Sequence, residues 1–248
     1  MWYDIFNAYF DHIYIVTLRR ATERQQQLAK DLAGLQYELF WGSDKQELDI
    51  AALSANNGYS EAKAQQYHRY NKGMSPGQIG CALSHKRIYT DMLQKGYQKV
   101  LILEDDVYPT QMEQAAAVLA AFPADWELVM LDYHKNEQRN WWKQQWYHVQ
   151  HAFGKLKWNH TMIRNLYPRR VNNYIQTAGY HEFTDAYCIT PTAAKVLLDL
   201  QSPLCFIADM LLPYAATNGL VKSYISTPKL FAQTSTGEGR SSVSFVEE

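Results

Sequence analysis

The sequence is poor in the features that mark several common protein classes. Its 248 residues include only 3 cysteines, Cys81, Cys188 and Cys205, which lie far apart and form no C-x-x-C pair. This cysteine usage excludes a disulfide scaffold and a cysteine-ligated zinc site, and it fits a reducing compartment. With 12 glycines and 8 prolines, the chain is also not of low complexity.

Long apolar runs and an excess of one charge are missing as well. The longest apolar run, about residues 115–122, falls far short of the roughly 18 residues that span a bilayer. Asp4 and Asp11 precede the first lysine or arginine, so the basic start of a secretory signal is lacking. The 24 basic and 25 acidic residues nearly balance, which argues against a general polyanion binder. We therefore expect a soluble, cytoplasmic protein.

Hydrophobic residues make up 47% of the chain and aromatic residues 14%, enough to build a core. Several of them recur at helical spacing within the first ten residues: Trp2, Ile5, Phe6, Tyr9 and Phe10. This pattern fits a short helix packed on the body of the protein, and it also fits an interfacial membrane anchor. Both interpretations stay open at this point.

Strand and helix patterns alternate along the chain. Apolar, β-branched runs predict strands at about residues 12–18, 37–41, 100–103, 127–131, 186–190, 223–225 and 230–232. Helical patterns lie at about residues 22–32, 75–95, 111–122, 191–200 and 207–216. This order predicts a single α/β domain over residues 1–248, with a central, mostly parallel sheet flanked by helices.

Two of the predicted helices have recognisable start signals. Ser75 is placed as the N-cap of the second helix, with Pro76 at the first helical position and Gln78 completing a capping box. Thr22 is the expected N-cap of the first. At the other end of the chain, the tail at about 234–248 is rich in serine, threonine and glycine and is predicted to be mobile.

Three consecutive acidic residues, Glu104, Asp105 and Asp106, follow the apolar run at 100–103. Ligands of parallel α/β sheets bind at the carboxyl ends of the strands, which is where this block lies. Strand alternation would turn Glu104 and Asp106 to one side, where they can face one divalent cation such as Mn2+ or Mg2+. The alternative is a solvated strand end with helix-capping aspartates.

Three ordered blocks carry a resemblance to a known family: IYIVTLRR at 13–20 with Arg24, SPGQIGCALSH at 75–85, and VLILEDDV at 100–107. Together they resemble glycosyltransferase family 25, which holds lipopolysaccharide (lipooligosaccharide) glycosyltransferases and collagen galactosyltransferases. Weaker similarity extends to 187–191, Ala208-Asp209 and 231–233. The resemblance covers about 12–107 and 183–235. Thr17 stands where the family often has Asn, and Gln78 where Glu is usual.

The resemblance implies a GT-A fold, a Rossmann-like domain that binds a UDP-sugar and a divalent metal, commonly Mn2+ or Mg2+. It implies inverting transfer, commonly of galactose, to a saccharide acceptor. By this resemblance Asp106 binds the metal, and Glu104 binds the metal-bound water or the ribose. The remaining donor-binding positions it implies are Thr17, Leu18, Arg20 and Arg24 near the uridine, Ser84 and His85 near the diphosphate or sugar, and Asp105 within the acidic motif.

An inverting transfer also needs a base for the acceptor hydroxyl. We favour Asp209, followed by Asp185 and His181, with Glu182 a further candidate; His181 alternatively completes the metal shell. The simpler alternatives are that Asp209 is a helix N-cap and that His85 is a buried, hydrogen-bonded histidine.

The segment 134–175 differs from the rest in charge. Between Tyr133 and Tyr174 it holds eight basic residues against one acidic residue, Glu137, and aromatic residues are interleaved with them. Such a segment fits recognition of a saccharide or lipid-linked acceptor, or peripheral contact with the inner face of the cytoplasmic membrane. Nucleic-acid binding is less expected, and a partly packed helical excursion is the simplest alternative.

The leading hypothesis is therefore a metal-dependent inverting glycosyltransferase that moves a sugar, galactose by the resemblance, from a UDP-sugar to an acceptor such as lipooligosaccharide. A second is a non-catalytic saccharide- or membrane-binding module on a degenerate GT-A fold. A third is a glycosidase that uses Glu104 and Asp106 as an acid and base pair.

Overall fold

The computed structural model describes residues 1–68, 70–182 and 184–234. The helices are α1 (Trp2–Tyr9), α2 (Thr22–Asp31), α3 (Ile50–Ala55), α4 (Glu61–Tyr67), α5 (Pro76–Lys95), α6 (Ala115–Ala120), α7 (Trp141–Ala152), α8 (His160–Arg164), α9 (Pro191–Leu200) and α10 (Ala208–Thr217). The strands are β1 (His12–Thr17), β2 (Glu38–Trp41), β3 (Val100–Glu104), β4 (Val107–Pro109), β5 (Leu128–Met130), β6 (Arg169–Arg170), β7 (Ile175–Thr177), β8 (Ala186–Ile189), β9 (Ser223–Ser226) and β10 (Phe231–Gln233).

Eight of these strands form one central sheet in the order β2-β1-β3-β8-β5-β9-β7-β6. The pairing directions show that only β8 and β7 run against the other six strands. This confirms the predicted α/β class with a central, mostly parallel sheet between helices, and the arrangement is consistent with a GT-A-like domain. The domain boundary at 1–248 and the mobility of the tail stay predictions, because residues 235–248 lie outside the described residues.

Alternating side chains on the central strands supply both layers of the core. On β3, Val100 and Ile102 pack on one side of the sheet with α5, α9 and α10, while Leu101 and Leu103 pack on the other with α1, α2 and α6. Successive side chains of a strand point to opposite faces, so a strand buried on both faces reads as an uninterrupted apolar run. The run at 100–103 therefore lies at the centre of the three layers.

Helix α5 begins and ends as its sequence predicts. Ser75 is the N-cap: its Oγ accepts a hydrogen bond from the Gln78 N–H, and the Ser75 N–H donates to Gln78 Oε1. Pro76 is the first helical residue. Gly96 ends the helix in the left-handed conformation at φ 74°. The predicted N-cap of α2 is wrong by one residue. The chain turns through an Ala21 N–H···O=C Leu18 bond of 2.9 Å, so Thr22 is already helical and Ala21 occupies the cap.

The N-terminal helix α1 is packed on the body of the protein. Phe6 is fully buried, and its ring meets Phe231 edge to face at 5.9 Å. The partly buried Trp2, Ile5 and Tyr9 pack against the same side of the core. This confirms the packed interpretation, and the interfacial anchor stays a prediction because Trp2, Ile5 and Tyr9 are only partly buried. Within the described residues, no helix has the length and apolar character to cross a membrane.

The segment 134–175 folds into a small substructure of its own. Helices α7 and α8 pack around a separate apolar cluster that includes Leu156, Trp158 and Ile163. The sequence predicted at most a helical excursion here. It predicted neither strands β6 and β7, which extend the central sheet, nor strand β4, which pairs antiparallel with β10.

We expect Ser75→Ala to lower the free energy of unfolding by about 1 kcal/mol, because it removes the side-chain acceptor of the capping box. Urea denaturation monitored by circular dichroism would measure the change. The matched control is Gln94→Ala, an exposed position near the other end of α5, which should change stability by less than about 0.5 kcal/mol. Equal stabilities of the two variants would contradict the capping role.

Candidate functional site

Acidic side chains gather at one edge of the central sheet because of the strand directions. Strands β1, β3 and β5 run in parallel, so Thr17, Glu104 and the segment just after Met130 reach the same edge. Strand β8 runs the other way, which brings Asp185, the residue before it, to that edge as well. A backbone hydrogen bond of 2.8 Å from Glu104 N to Asp185 O fixes the two segments side by side.

Asp105 joins the ends of β1, α2 and β3. Its carboxylate accepts a hydrogen bond from Thr17 Oγ1 (2.7 Å) and one from Arg24 Nη1 (2.7 Å). The same guanidinium lies 3.8 Å from Asp106 Oδ2. Burial raises the pKa of Asp105, and the attraction of Arg24 and the bond from Thr17 partly offset that effect. Three predicted donor-binding residues thus form one buried network.

The expected alternation of the acidic block holds only through Glu104. Strand β3 ends at Glu104, and Asp105 and Asp106 form a turn in which both carboxylates approach Arg24. The sequence predicted that the side chains of Glu104 and Asp106 point to one face of the strand and that of Asp105 to the other. The structure differs because side-chain alternation requires extended backbone, which a turn does not provide.

Glu104 faces α5 and the segment before β8. Thr184 Oγ1 donates to Glu104 Oε1 at 2.5 Å, and His85 Nε2 lies 3.5 Å from the same oxygen. Burial acts to raise the pKa of Glu104, but the interactions with His85 and Thr184 outweigh it, so the pKa is lowered. His85 is itself buried, with Nδ1 2.7 Å from the Tyr187 hydroxyl. The interpretation of His85 as a buried, hydrogen-bonded histidine is therefore confirmed, and its other ring nitrogen also faces Glu104 of the acidic block.

The Asp185 carboxyl lies among other acidic groups at this edge. It is buried, and Gln233 Nε2 donates a hydrogen bond to its Oδ2. Burial raises its pKa well above the ordinary value, and the nearby charges of Glu104, Asp132, Asp106 and Asp209 raise it further. Four other carboxylates thus act on one side chain, a density of negative charge that a bound cation would relieve.

Asp209 lies at the second position of α10, with Ile207 as the N-cap, so the N-cap alternative for Asp209 is wrong. Thr184 Oγ1, which donates to Glu104, also lies 3.3 Å from Asp209 Oδ1, so the threonine stands between the two carboxylates. Burial, followed by the charges of Glu104 and Glu182, raises the pKa of Asp209 to about 7. The group therefore changes charge near neutral pH.

The structure places His181 in a different setting from the one the sequence suggested. It is fully buried, its Nδ1 lies 2.8 Å from Lys135 O, and burial lowers its pKa to about 4. In the described part of the chain it is His134, which the sequence analysis overlooked, that lies with Asp132 and Asp185. The three offer ligand atoms all within 4.8 Å of one another. His181 supports the segment that carries His134.

The other predicted donor-binding residues border this edge. Ser84 is buried and ties α5 to the loop after β2, donating to Gly80 O (2.7 Å) and accepting from Ser43 N (2.8 Å). Arg20 donates through Nε to Asp44 Oδ2 at 2.6 Å, and Leu18 O accepts from Gln25 Nε2 at 2.9 Å. These contacts fix the loops that follow β1 and β2.

Among the residues that the structure describes, two sets of side chains bring together the donor atoms for a metal ion. One is Asp132, His134 and Asp185; the other is Cys81, His85 and Glu104. Burial and the surrounding carboxylates raise the pKa of the Cys81 thiol well above its ordinary value, which disfavours the thiolate that metals bind. Oxygen donors dominate the whole edge, and they fit a hard cation such as Mn2+ or Mg2+ better than a soft one.

The sequence held an unused signal for the residues that were overlooked. Asp132 follows the apolar run at 128–131 just as Glu104 follows the run at 100–103, and His134 stands two residues further on. Applying the strand-end rule to both runs would have found them. Thr184 has no comparable signal, because its role depends on two partners that come from distant parts of the chain.

Comparisons with known proteins show which family the chain belongs to. The sequence profile of glycosyltransferase family 25 (LPS biosynthesis protein) matches residues 10–212, and it runs through the segment 134–175 that the resemblance had left out. A "Glycosyltransferase 25 family member" of Anopheles gambiae is 30% identical over 197 residues, covering 77% of this chain and 29% of that protein.

Two further relatives align over about half of the chain. "Procollagen galactosyltransferase 1" of Danio rerio is 22% identical over 134 residues, covering 49% of this chain and 21% of that protein. "Inactive glycosyltransferase 25 family member 3" of Homo sapiens is 24% identical over 129 residues, covering 49% of this chain and 22% of that protein. The chain thus spans less than a third of the length of each of these relatives.

We expect Asp209→Asn to flatten the pH dependence of stability in chelator-treated protein. The pKa of Asp209 is about 7 when folded, against about 3.9 for a free aspartate, so the folded state binds a proton that the unfolded state has released. That contribution is complete below about pH 4 and is lost as the pH rises through 7. Asparagine resembles the protonated form, so the variant should gain stability relative to the wild type between pH 5 and pH 8.

Urea unfolding at pH 5 and at pH 8 measures the difference in stability between the variant and the wild type. Asp199→Asn, at an exposed position on α9, is the matched control and should follow the wild type. If Asp209→Asn and Asp199→Asn show the same pH dependence, Asp209 does not titrate as its surroundings indicate.

Proposed function

Because this chain belongs to glycosyltransferase family 25, we propose that it is a metal-dependent inverting glycosyltransferase that transfers a sugar from a UDP-sugar to a saccharide acceptor. Family membership supports glycosyl transfer as the reaction class. The observation that carries the rest is the gathering of Glu104, Asp106, Asp132 and Asp185 at one edge of the sheet, where their charges act on one another.

Cleavage of a sugar–phosphate bond leaves a diphosphate with growing negative charge. A divalent cation bound there would stabilise that charge as a Lewis acid. We assign Glu104 and Asp106 to hold the cation. Arg24, which reaches Asp105 and Asp106, and Arg20 lie on the side where the donor nucleotide would bind.

Asp209 is our choice for the base that accepts the proton of the acceptor hydroxyl. A general base works best when its pKa lies near the working pH, and the pKa of Asp209 is about 7. Asp185 accepts a hydrogen bond from Gln233, and burial and the neighbouring carboxylates raise its pKa well above the ordinary value, so we assign it a positioning role beside the cation site. His181, with a pKa of about 4 and Nδ1 facing a backbone carbonyl, is the weakest of the three candidates.

We infer the transferred sugar and the acceptor from the names of relatives and from the description of the family. Relatives named procollagen galactosyltransferase support galactose as the transferred sugar. The family's description as an LPS biosynthesis protein supports lipooligosaccharide or a similar surface saccharide as the acceptor. We propose that the protein acts in the cytoplasm, at the inner face of the cytoplasmic membrane, where a lipid-linked acceptor is accessible.

One observation favours a second candidate, a non-catalytic saccharide-binding module: a human relative carries the name "Inactive glycosyltransferase 25 family member 3". The two candidates separate in one assay. The protein is incubated with UDP-, GDP- and CMP-sugars, with Mn2+ or chelator, and with or without a saccharide acceptor. Release of UDP that requires both metal and acceptor supports transfer. Acceptor binding without nucleotide release supports the module, and hydrolysis of an oligosaccharide without a nucleotide would support a glycosidase.

We expect Asp106→Asn to lower kcat by on the order of 10²–10³, by analogy with the loss of one electrostatic stabiliser of a transition state. Thermal unfolding should show that the variant remains folded. Asp125→Asn, an aspartate on the surface paired with Lys222, is the matched control and should keep wild-type kcat. Full activity of Asp106→Asn in the presence of chelator would refute the metal assignment.

Direct measurement of Mn2+ binding locates the cation. We expect Glu104→Gln to raise the Kd for Mn2+ by at least about tenfold, and His134→Ala to leave it within about threefold, as loss of a ligand or of its support typically costs 10–100-fold in affinity. Electron paramagnetic resonance of unbound Mn2+ gives both values without a turnover assay. A larger increase in Kd for His134→Ala than for Glu104→Gln would instead indicate that the cation binds at Asp132, His134 and Asp185.

A further inference from the structure

Helix α7 has an inner face that is held in place by the rest of the segment 134–175. Gln144 is buried, and its Nε2 donates to Ile163 O at 2.6 Å. Tyr147 packs edge to face on the buried Trp158, with ring centroids 5.2 Å apart. These contacts fix which side of the helix faces outward.

The outer face of α7 is apolar and exposed. Trp142, Trp146, Val149 and the C-cap residue Phe153 follow one another at intervals of four, three and four residues, which places them on one side of the helix. Their exposed fractions are 79%, 58%, 42% and 77%. Trp141, 52% exposed, meets Trp142 edge to face at 4.7 Å and widens the patch. An exposed apolar patch of this kind marks an interaction surface.

Positive charge surrounds this patch along the chain. Arg139 precedes α7, Lys155 and Lys157 follow it, and all three are exposed. Further exposed basic residues in the same segment are Arg164, Arg169 and Arg170, against the single acid Glu137. The remainder of the chain is correspondingly acidic, because the whole carries a formal net charge of −1. The cations are therefore concentrated in the same segment of the chain as the exposed aromatic residues.

We propose that the outer face of α7 docks on the surface of an anionic lipid bilayer. Tryptophan rings favour the level of the lipid headgroups, and an interfacial helix combines such an apolar face with basic residues that attract anionic lipids. The aliphatic Val149 in the middle of the stripe fits hydrocarbon and cannot stack on a nucleic-acid base. The helix lies on the bilayer, with its axis parallel to the surface and its inner face on the protein.

The start of α7 is linked to the acidic edge of the sheet. Lys143 Nζ donates to Asn136 Oδ1 at 2.9 Å, and Asn136 Nδ2 donates to Tyr180 O at 2.6 Å. A backbone bridge joins His134 to Glu182, three residues before Asp185. A bilayer under α7 would thus present a lipid-linked acceptor near the site. This consequence rests on the proposed function, whereas the docking proposal is independent of it.

Vesicle sedimentation of the whole protein tests the docking. The wild type is mixed with phosphatidylcholine vesicles, neutral or with about 30% phosphatidylglycerol, at about 0.15 M and about 0.5 M salt. We expect binding to the anionic vesicles, weaker binding at the higher salt, and weak binding to the neutral vesicles. No binding of the wild type to any vesicle would overturn the proposal.

The triple variant Trp142→Ser, Trp146→Ser, Phe153→Ser should bind anionic vesicles at least about tenfold more weakly. A matched control replaces exposed apolar residues elsewhere, Tyr70→Ser, Tyr108→Ser and Leu220→Ser, and should bind within about twofold of the wild type. Circular dichroism checks that both variants fold, and the single change Trp142→Ser serves if the triple variant does not. Wild-type binding by the triple variant overturns the proposal. The proposal would also be overturned if the wild type were a dimer and the triple variant a monomer. It would equally be overturned if the wild type bound RNA and did not bind vesicles.

Transfer to a water-soluble acceptor separates this proposal from the proposed function. The triple variant should keep wild-type kcat with that acceptor, since the substituted side chains lie on the outer face of α7. Vesicle binding by a protein without transferase activity would leave the docking intact and overturn the enzyme. Transferase activity without vesicle binding would do the opposite.

Discussion

Repulsion among carboxylates at one edge of the sheet is the constraint that organises the rest of the site. Asp185 and Asp209 have raised pKa values because they are buried beside other acidic groups. The fold offsets part of this cost with donors drawn from four separate segments: Thr17, Arg24, Thr184 and Gln233. Such an arrangement is unfavourable for stability alone, and perturbed carboxyl groups of this kind concentrate at functional sites.

The directions of the strands explain why these groups meet. Had β8 run parallel to β3, Asp185 would lie at the opposite edge of the sheet, away from Glu104 and Asp106. The segment between β5 and β8 forms the substructure of α7 and α8, and its first residues rim the acidic edge. The position of that segment couples an exposed aromatic face to the site through a short series of hydrogen bonds.

Local signals in the sequence predicted the elements well where one segment decides its own structure. The capping box at Ser75 lies within one segment, and the uninterrupted apolar run at 100–103 predicts a buried strand before its pairing partners are known. Predictions failed where the deciding contact was remote or where the backbone changed conformation. Thr22 is not the N-cap of α2, because the turn after β1 places Ala21 at that position. Asp106 does not follow the strand alternation, because β3 ends at Glu104.

The sequence by itself determined the α/β class, the acidic block at the end of a central strand, the family and most of the candidate residues, because each depends on short-range patterns. Only the tertiary structure decided that Asp132 and His134 lie beside Asp185. It also placed Thr184 between Glu104 and Asp209. His181, in turn, contacts the backbone of Lys135, the residue after His134. The tertiary structure also decided that α1 packs its aromatic face on the core while α7 exposes one. Helical periodicity shows that a helix has an apolar face, but the packing of distant segments determines whether that face is covered.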